Sequence, residues 1–71
     1  MIVREPISST NVASAGYDEQ SETLEIEFAN GSVYQYFNVG LALYEQFRTA
    51  SSKGQFLNSN IRNSYPYSRV A

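Results

Sequence analysis

The sequence predicts a small α+β domain: a three-stranded antiparallel sheet followed by two helices packed on one face, in the order β-β-β-α-α. Three observations predict it. "TLEIEFA" (residues 23–29) alternates strictly, with Leu24, Ile26 and Phe28 on one side and Glu25 and Glu27 on the other. "NG" follows at once, the strongest short hairpin signal, and "SVYQYF" supplies β-forming residues for a return strand. "GLALYEQFRTA" then changes the period from two to that of a helix.

Each element follows from its residues. "NVASAGYD" alternates loosely, with Val12, Ala15 and Tyr17 facing inward, and predicts a first strand over about residues 12–17. "DEQSE" is polar and makes the turn into the second strand. Leu43, Tyr44 and Phe47 share one helical face, with Leu41 and Ala50 flanking it, which predicts a helix over about 40–50. Ser51 or Ser52 can cap a second, shorter helix over about 53–61, with Phe56, Leu57 and Ile61 inward. Gly54 weakens that helix, and Pro66 keeps Tyr65 extended, so the tail leaves helical geometry.

The hairpin admits two registers. A two-residue loop, Asn30-Gly31, pairs Phe28 with Val33 and turns Tyr34 and Tyr36 to the Glu25 and Glu27 side. A three-residue loop, Ala29-Asn30-Gly31, pairs Ile26 with Tyr34 and Leu24 with Tyr36. One residue of slip flips the whole strand. The second register is favoured. It gathers five large side chains on one face and leaves Val33, Gln35 and Phe37 outside, so that the Gln35 amide needs no buried partner.

Seventy-one residues make a single domain over 1–71. A chain this short buries only about 60% of its unfolded surface. With no Cys and no His, neither disulfides nor the usual zinc sites can reinforce it. Apolar packing or oligomerisation must do so, and six Tyr and four Phe supply large buried areas. No run approaches the roughly 18 apolar residues of a membrane span. "MIVREPISST" lacks a signal-peptide profile, so a cytoplasmic protein without membrane contact is expected.

Charge is segregated. Residues 1–39 carry a net −5 and residues 40–71 a net +3, within a total of −2. The basic half points to an anionic ligand, while the overall acidity argues against nonspecific DNA binding. Ser51, Ser52, Lys53 and Gly54 open a helix, where free N–H groups suit a phosphate or carboxylate. Asn58, Asn60, Arg62 and Asn63 come next, and Arg62 can add a forked contact. The same residues also suffice for an ordinary capped helix start, since the spacing of a phosphate-binding glycine loop is absent. Tyr65-Pro66-Tyr67 sets two rings near Arg62 and Arg69, a combination that suits stacking on single-stranded nucleic acid as well as covering a core. Tyr34 and Tyr36 carry the same two readings. Without His or Cys the commonest catalytic bases and nucleophiles are missing, and no carboxylate pair has catalytic geometry, so no enzyme activity and no cofactor are expected.

"SSTNVASAGYD", "TLEIEFANGSVYQYFNV" and "ASSKGQFLNSNIRNSYPY" together resemble the KTSC domain over about residues 7–67. The hallmark of that family is a central Tyr-x-Tyr, here Tyr34-Gln35-Tyr36. The resemblance implies a short bacterial or phage domain that also occurs at the C-terminus of some lysyl-tRNA synthetases. It carries RNA binding as an expectation of function, by analogy alone. The expected role is a non-catalytic module binding RNA through Ser51, Ser52, Lys53, Gly54, Asn60, Arg62, Tyr34, Tyr36 and Tyr65. A module that sequesters a phosphate-bearing nucleotide and a protein–protein module or homodimer are the alternatives.

Overall fold

The computed structural model describes residues 2–71. Seven elements succeed one another: β1 (Glu5–Pro6), β2 (Val12–Asp18), β3 (Thr23–Phe28), β4 (Val33–Tyr36), α1 (Leu41–Thr49), α2 (Lys53–Asn60) and β5 (Tyr67–Arg69). The strands form one antiparallel sheet in the order β1-β2-β3-β4-β5. The expected class is therefore α+β, but the sheet has five strands where three were expected. The two additions are edge strands of two and three residues, too short to carry a period. Long-range pairing to β2 and β4 creates them.

The hairpin takes the three-residue loop. Phe28 N–H donates to Ser32 O at 2.8 Å and Gly31 N–H to Phe28 O at 2.9 Å, and Gly31 sits at φ +91°. A side chain is strained in that left-handed region, which is why glycine succeeds Asn30. Leu24 faces Tyr36 and Ile26 faces Tyr34, as the favoured register requires.

The helices lie on the face this register creates. Val12, Ala15, Leu24, Ile26 and Tyr36 from the sheet meet Phe47, Leu57 and Ile61 from the helices, together with Val39 from the intervening loop. Phe56, Leu43 and Tyr44 pack against this core, and Leu41 stays exposed. Tyr17 and Tyr44 stack with centroids 4.3 Å apart, and the Tyr17 hydroxyl donates to Val39 O at 2.6 Å. Deleting a core side chain such as Leu24 costs about 2–5 kcal/mol in proteins generally. At that scale a domain this small has little in reserve.

The opposite face differs from expectation. Val33, Gln35, Glu25 and Glu27 were expected in water, yet Val33 and Glu25 are buried and Gln35 and Glu27 half-buried. The N-terminal residues explain much of it. Arg4 forms an ion pair with Glu25 and donates to Ser14 Oγ at 3.0 Å. Ser14 donates to Glu27 at 2.8 Å, and the Gln35 amide donates to Glu25 at 2.8 Å. Val33 is bonded from the C-terminal side, its N–H donating to Ala71 O at 3.1 Å.

Gly16 permits the chain to cross here. A Cβ on Gly16 would lie 2.4 Å from Val3 O and 2.6 Å from Ile2 Cγ2. Gly16→Ala is expected to lift residues 2–4 off the sheet and lower stability by about 1–3 kcal/mol. In a domain this size that is a melting-temperature drop of about 4–8 °C per kcal/mol. A calorimetric scan checks it, and an unchanged melting temperature would mean that the crossing contributes nothing.

Candidate functional site

The period of β4 sets Tyr34 and Tyr36 on the helix side, and β5 adds Tyr67 opposite Tyr36 and Arg69 opposite Tyr34. Three rings result in one cluster. The Tyr34–Tyr36, Tyr34–Tyr67 and Tyr36–Tyr67 centroids are 6.4, 5.7 and 5.9 Å apart. Tyr36 is buried, Tyr34 half-buried, and Tyr67 exposed at 59%. The gradient runs from core to solvent within one patch.

Arg62 lies where α2 ends. Its guanidinium carbon is 5.4 Å from the Phe28 ring centroid, and it donates to Asn58 Oδ1 at 3.1 Å. Phe28 meets Tyr34 edge to face, with centroids 5.6 Å apart. Arg62 and Tyr34 together wall two adjoining depressions. The larger, of about 350 Å³, is also lined by Asn11, Phe28, Asn30 and Asn58. The smaller, of about 140 Å³, is completed by Tyr36, Asn63 and Tyr67.

The residues expected to form a site divide into separate groups. Gly54 lines the larger cleft with Tyr34 and Arg62, but its Cα side is occupied by Ser9 and Asn11. Ser52 caps α2, accepting from Gln55 N–H at 3.4 Å, which employs its hydroxyl in structure. Ser51 and Asn60 line a shallow depression on the other side of α2, and the Asn60 amide bonds back to Phe56 O at 3.2 Å. Lys53 faces a small cavity with Glu5 and Arg48 and donates to Ala50 O at 3.3 Å. Lys53 and Arg62 therefore do not share a cleft. Tyr65 packs against the core, while Tyr67 joins the cluster. The residues that sequence reasoning left out are Phe28, Asn11 and Asn30. The alternation of β3 placed Phe28 inward, but nothing in the sequence set Arg62 over it.

Electrostatics favour this patch. Two ion pairs occur among the described residues, Arg4 with Glu25 and Arg48 with Glu45. Lys53, Arg62 and Arg69 have no Asp or Glu partner among them, and Arg69 Nε donates to Ala71 O at 2.9 Å. Burial pushes the Tyr36 phenol above its ordinary value of 10, although the Arg62 charge pulls it down. Burial also raises Tyr17, with Glu22 and Glu19 adding to the effect, and raises Tyr44 against the opposing charge of Arg48.

Comparison with known proteins places this geometry in a family. The pattern of the KTSC domain matches residues 8–65. The chain belongs to the KTSC domain family. A KTSC domain protein from Yersinia pestis, known from a crystal structure, superposes with a TM-score of 0.93 at 33% identity, covering 100% of both chains. A protein of Stutzerimonas stutzeri is 31% identical over 94% of this chain and 96% of its own length. A lysine–tRNA ligase of Trichormus variabilis is 38% identical over 55 residues, 78% of this chain. This KTSC domain matches only 10% of that ligase's length. No helix among the described residues is long and apolar enough to cross a membrane.

The raised phenols make this KTSC domain sensitive to alkali. A group held above its unfolded value contributes stability that is complete below that value and lost as pH rises through the folded one. Stability is therefore expected to fall as pH climbs past 10, with late-ionising phenols from Tyr17, Tyr36 and Tyr44. Phenolate absorbance tracked against pH, alongside circular dichroism, checks this. If every tyrosine ionised together near 10 with the fold intact, burial would not be holding these groups.

Proposed function

We propose that this KTSC domain is a non-catalytic module that binds single-stranded RNA along the patch running from Asn58 and Arg62 across Tyr34 to Tyr67 and Arg69. The observation that carries the reading is the position of Arg62. It is an exposed cation with no carboxylate partner among the described residues, and it stands between an aromatic cluster and an amide-lined cleft. Rings and forked cations in alternation are what a nucleic-acid strand needs. Bases stack on aromatic faces and phosphates pair with guanidinium groups. Tyr67 supplies the accessible ring, and Arg62 and Arg69 flank it. Asn11, Asn30, Asn58 and Asn63 offer amides that can hydrogen-bond base edges.

Two further facts support it. The relative from Trichormus variabilis bears the name of an enzyme that acts on tRNA, and its match to this chain is a small part of its length. The chain itself holds neither His nor Cys, so the commonest catalytic base and the strongest side-chain nucleophile are not available to the patch. The exposed rim of the cleft suits a strand laid across it more than an enclosed mononucleotide.

Titration with a short uridine-rich RNA, monitored by NMR, is expected to shift resonances of Tyr34, Arg62 and Tyr67 before those of Ser51 and Ser52. Arg62→Ala should weaken binding by roughly 5- to 30-fold, equivalent to about 1–2 kcal/mol. It should also reduce the slope of log affinity against log salt by about 0.7. Tyr67→Ala should cost about 1–3 kcal/mol through lost stacking. Resonances around Arg62 that stay fixed at millimolar RNA would remove the proposal.

A further inference from the structure

The sheet ends at β5, and the ladder shows which of its backbone groups are free. Phe37 N–H donates to Pro66 O at 2.8 Å, and Val70 N–H donates to Val33 O at 2.8 Å. Polar groups along an antiparallel strand alternate in direction. Residues 66 and 68 therefore aim theirs at β4, as does the Val70 N–H, while Val33 N–H is taken by Ala71 O; Tyr67 and Arg69 aim theirs outward. β5 has β4 as its one neighbour in the strand order, and all three of its residues are exposed. An unpaired row of N–H and C=O groups is a template for another strand unless something blocks it.

We infer that β5 pairs antiparallel with β5 of a second copy of this chain, about a two-fold axis through Ser68, so that two five-stranded sheets become one. The free groups are self-complementary in that register. Tyr67 N–H reaches the partner's Arg69 C=O, and the partner's Arg69 N–H reaches Tyr67 C=O. Symmetry repeats both bonds, and every outward group of the two strands is then satisfied. The side chains agree with the backbone. Tyr67 and Arg69 lie on the helix side, opposite Tyr36 and Tyr34. The pairing sets Tyr67 directly across from the partner's Arg69, a cation facing a ring. Arg69 has no Asp or Glu partner among the described residues, and its Nε donates to Ala71 O at 2.9 Å, which leaves its two terminal guanidinium nitrogens for the partner's ring.

The other edge excludes the rival arrangement. β1 has two residues, one of them Pro6, which has no N–H to donate. Pairing of β5 with β1 of another copy, head to tail, is blocked there, so association closes at two instead of growing into a filament. A three-residue strand pair is far smaller than the roughly 800 Å² per partner of a standard interface. The dimer is correspondingly weak and forms at roughly 0.1–1 mM protein.

Sedimentation equilibrium and amide hydrogen exchange, run without RNA from tens of micromolar to about one millimolar protein, test this independently of the RNA reading. The expected result is a mass rising toward the dimer, with the Tyr67 and Arg69 amides gaining protection as concentration rises. The Ser68 and Val70 amides should be protected throughout. Arg69→Pro removes an outward donor without touching the β4 ladder, and should weaken association by about tenfold or more. Should that variant fail to fold, Ser68→Lys decides the matter. Position 68 is exposed, and two ammonium groups on the axis should weaken the dimer roughly two- to fivefold, with recovery in high salt. A protein that stays monomeric at about one millimolar overturns the inference. So does a dimer whose Tyr67 and Arg69 amides exchange as freely as in the monomer.

Discussion

The three-residue turn at Ala29-Asn30-Gly31 is the constraint on which the rest of this fold depends. With Gly31 at φ +91°, Phe28 closes on Ser32 and the β3–β4 register is set. Because side chains alternate along a strand, that one choice puts Leu24, Ile26, Phe28, Tyr34 and Tyr36 together beneath the helices. It puts Glu25, Glu27 and Gln35 together on the other face. A loop one residue shorter would bury Gln35 and turn both tyrosines outward. The core, the aromatic cluster and the polar face are three consequences of a single glycine position.

The polar face shows how a small domain gains a second layer of contacts without a second core. Glu25 is buried, and alone it would be costly to remove from water. Arg4 and the Gln35 amide take one carboxylate oxygen each, and Ser14 links Arg4 to Glu27. A buried ion pair of this kind contributes little net stability, because desolvation offsets attraction. Its effect is to fix where the N-terminal residues lie. Gly16, with no Cβ to obstruct them, allows those residues to approach the sheet.

What could be read from the sequence was whatever repeats at close range. Alternation gave β2 and β3, the Asn-Gly turn gave the hairpin, and a helical stripe gave α1 to within a residue at each end. α2 was found from its cap and from Leu57 and Ile61, despite a buried glycine in its first turn. β1 and β5 escaped because two or three residues have no period, and only the strand beside them makes them strands. The candidate site was read as one group because Lys53 and Arg62 are near in sequence. A helix of eight residues between them spans about 12 Å, enough to carry the two cations to different surfaces. Tyr67 was noticed as a ring, but its place beside Tyr34 and Tyr36 required β5.

The division of charge now has a structural meaning. Of the five cations, Arg4 and Arg48 are engaged by carboxylates. The other three belong to α2 and the C-terminal segment after it, while the acidic residues are concentrated on the strands and turn of the first half. Arg62 borders the tyrosine cluster, Arg69 pairs with Tyr34 across the ladder, and Phe28 and Asn58 hold Arg62 in place. A cation held by a ring and a neutral amide keeps its full charge for a ligand, whereas a salt bridge would have cancelled it. A guanidinium over a ring at the surface contributes about 0.5–1 kcal/mol to the fold. The same placement at a ligand site supplies both attraction for a phosphate and a surface for a base.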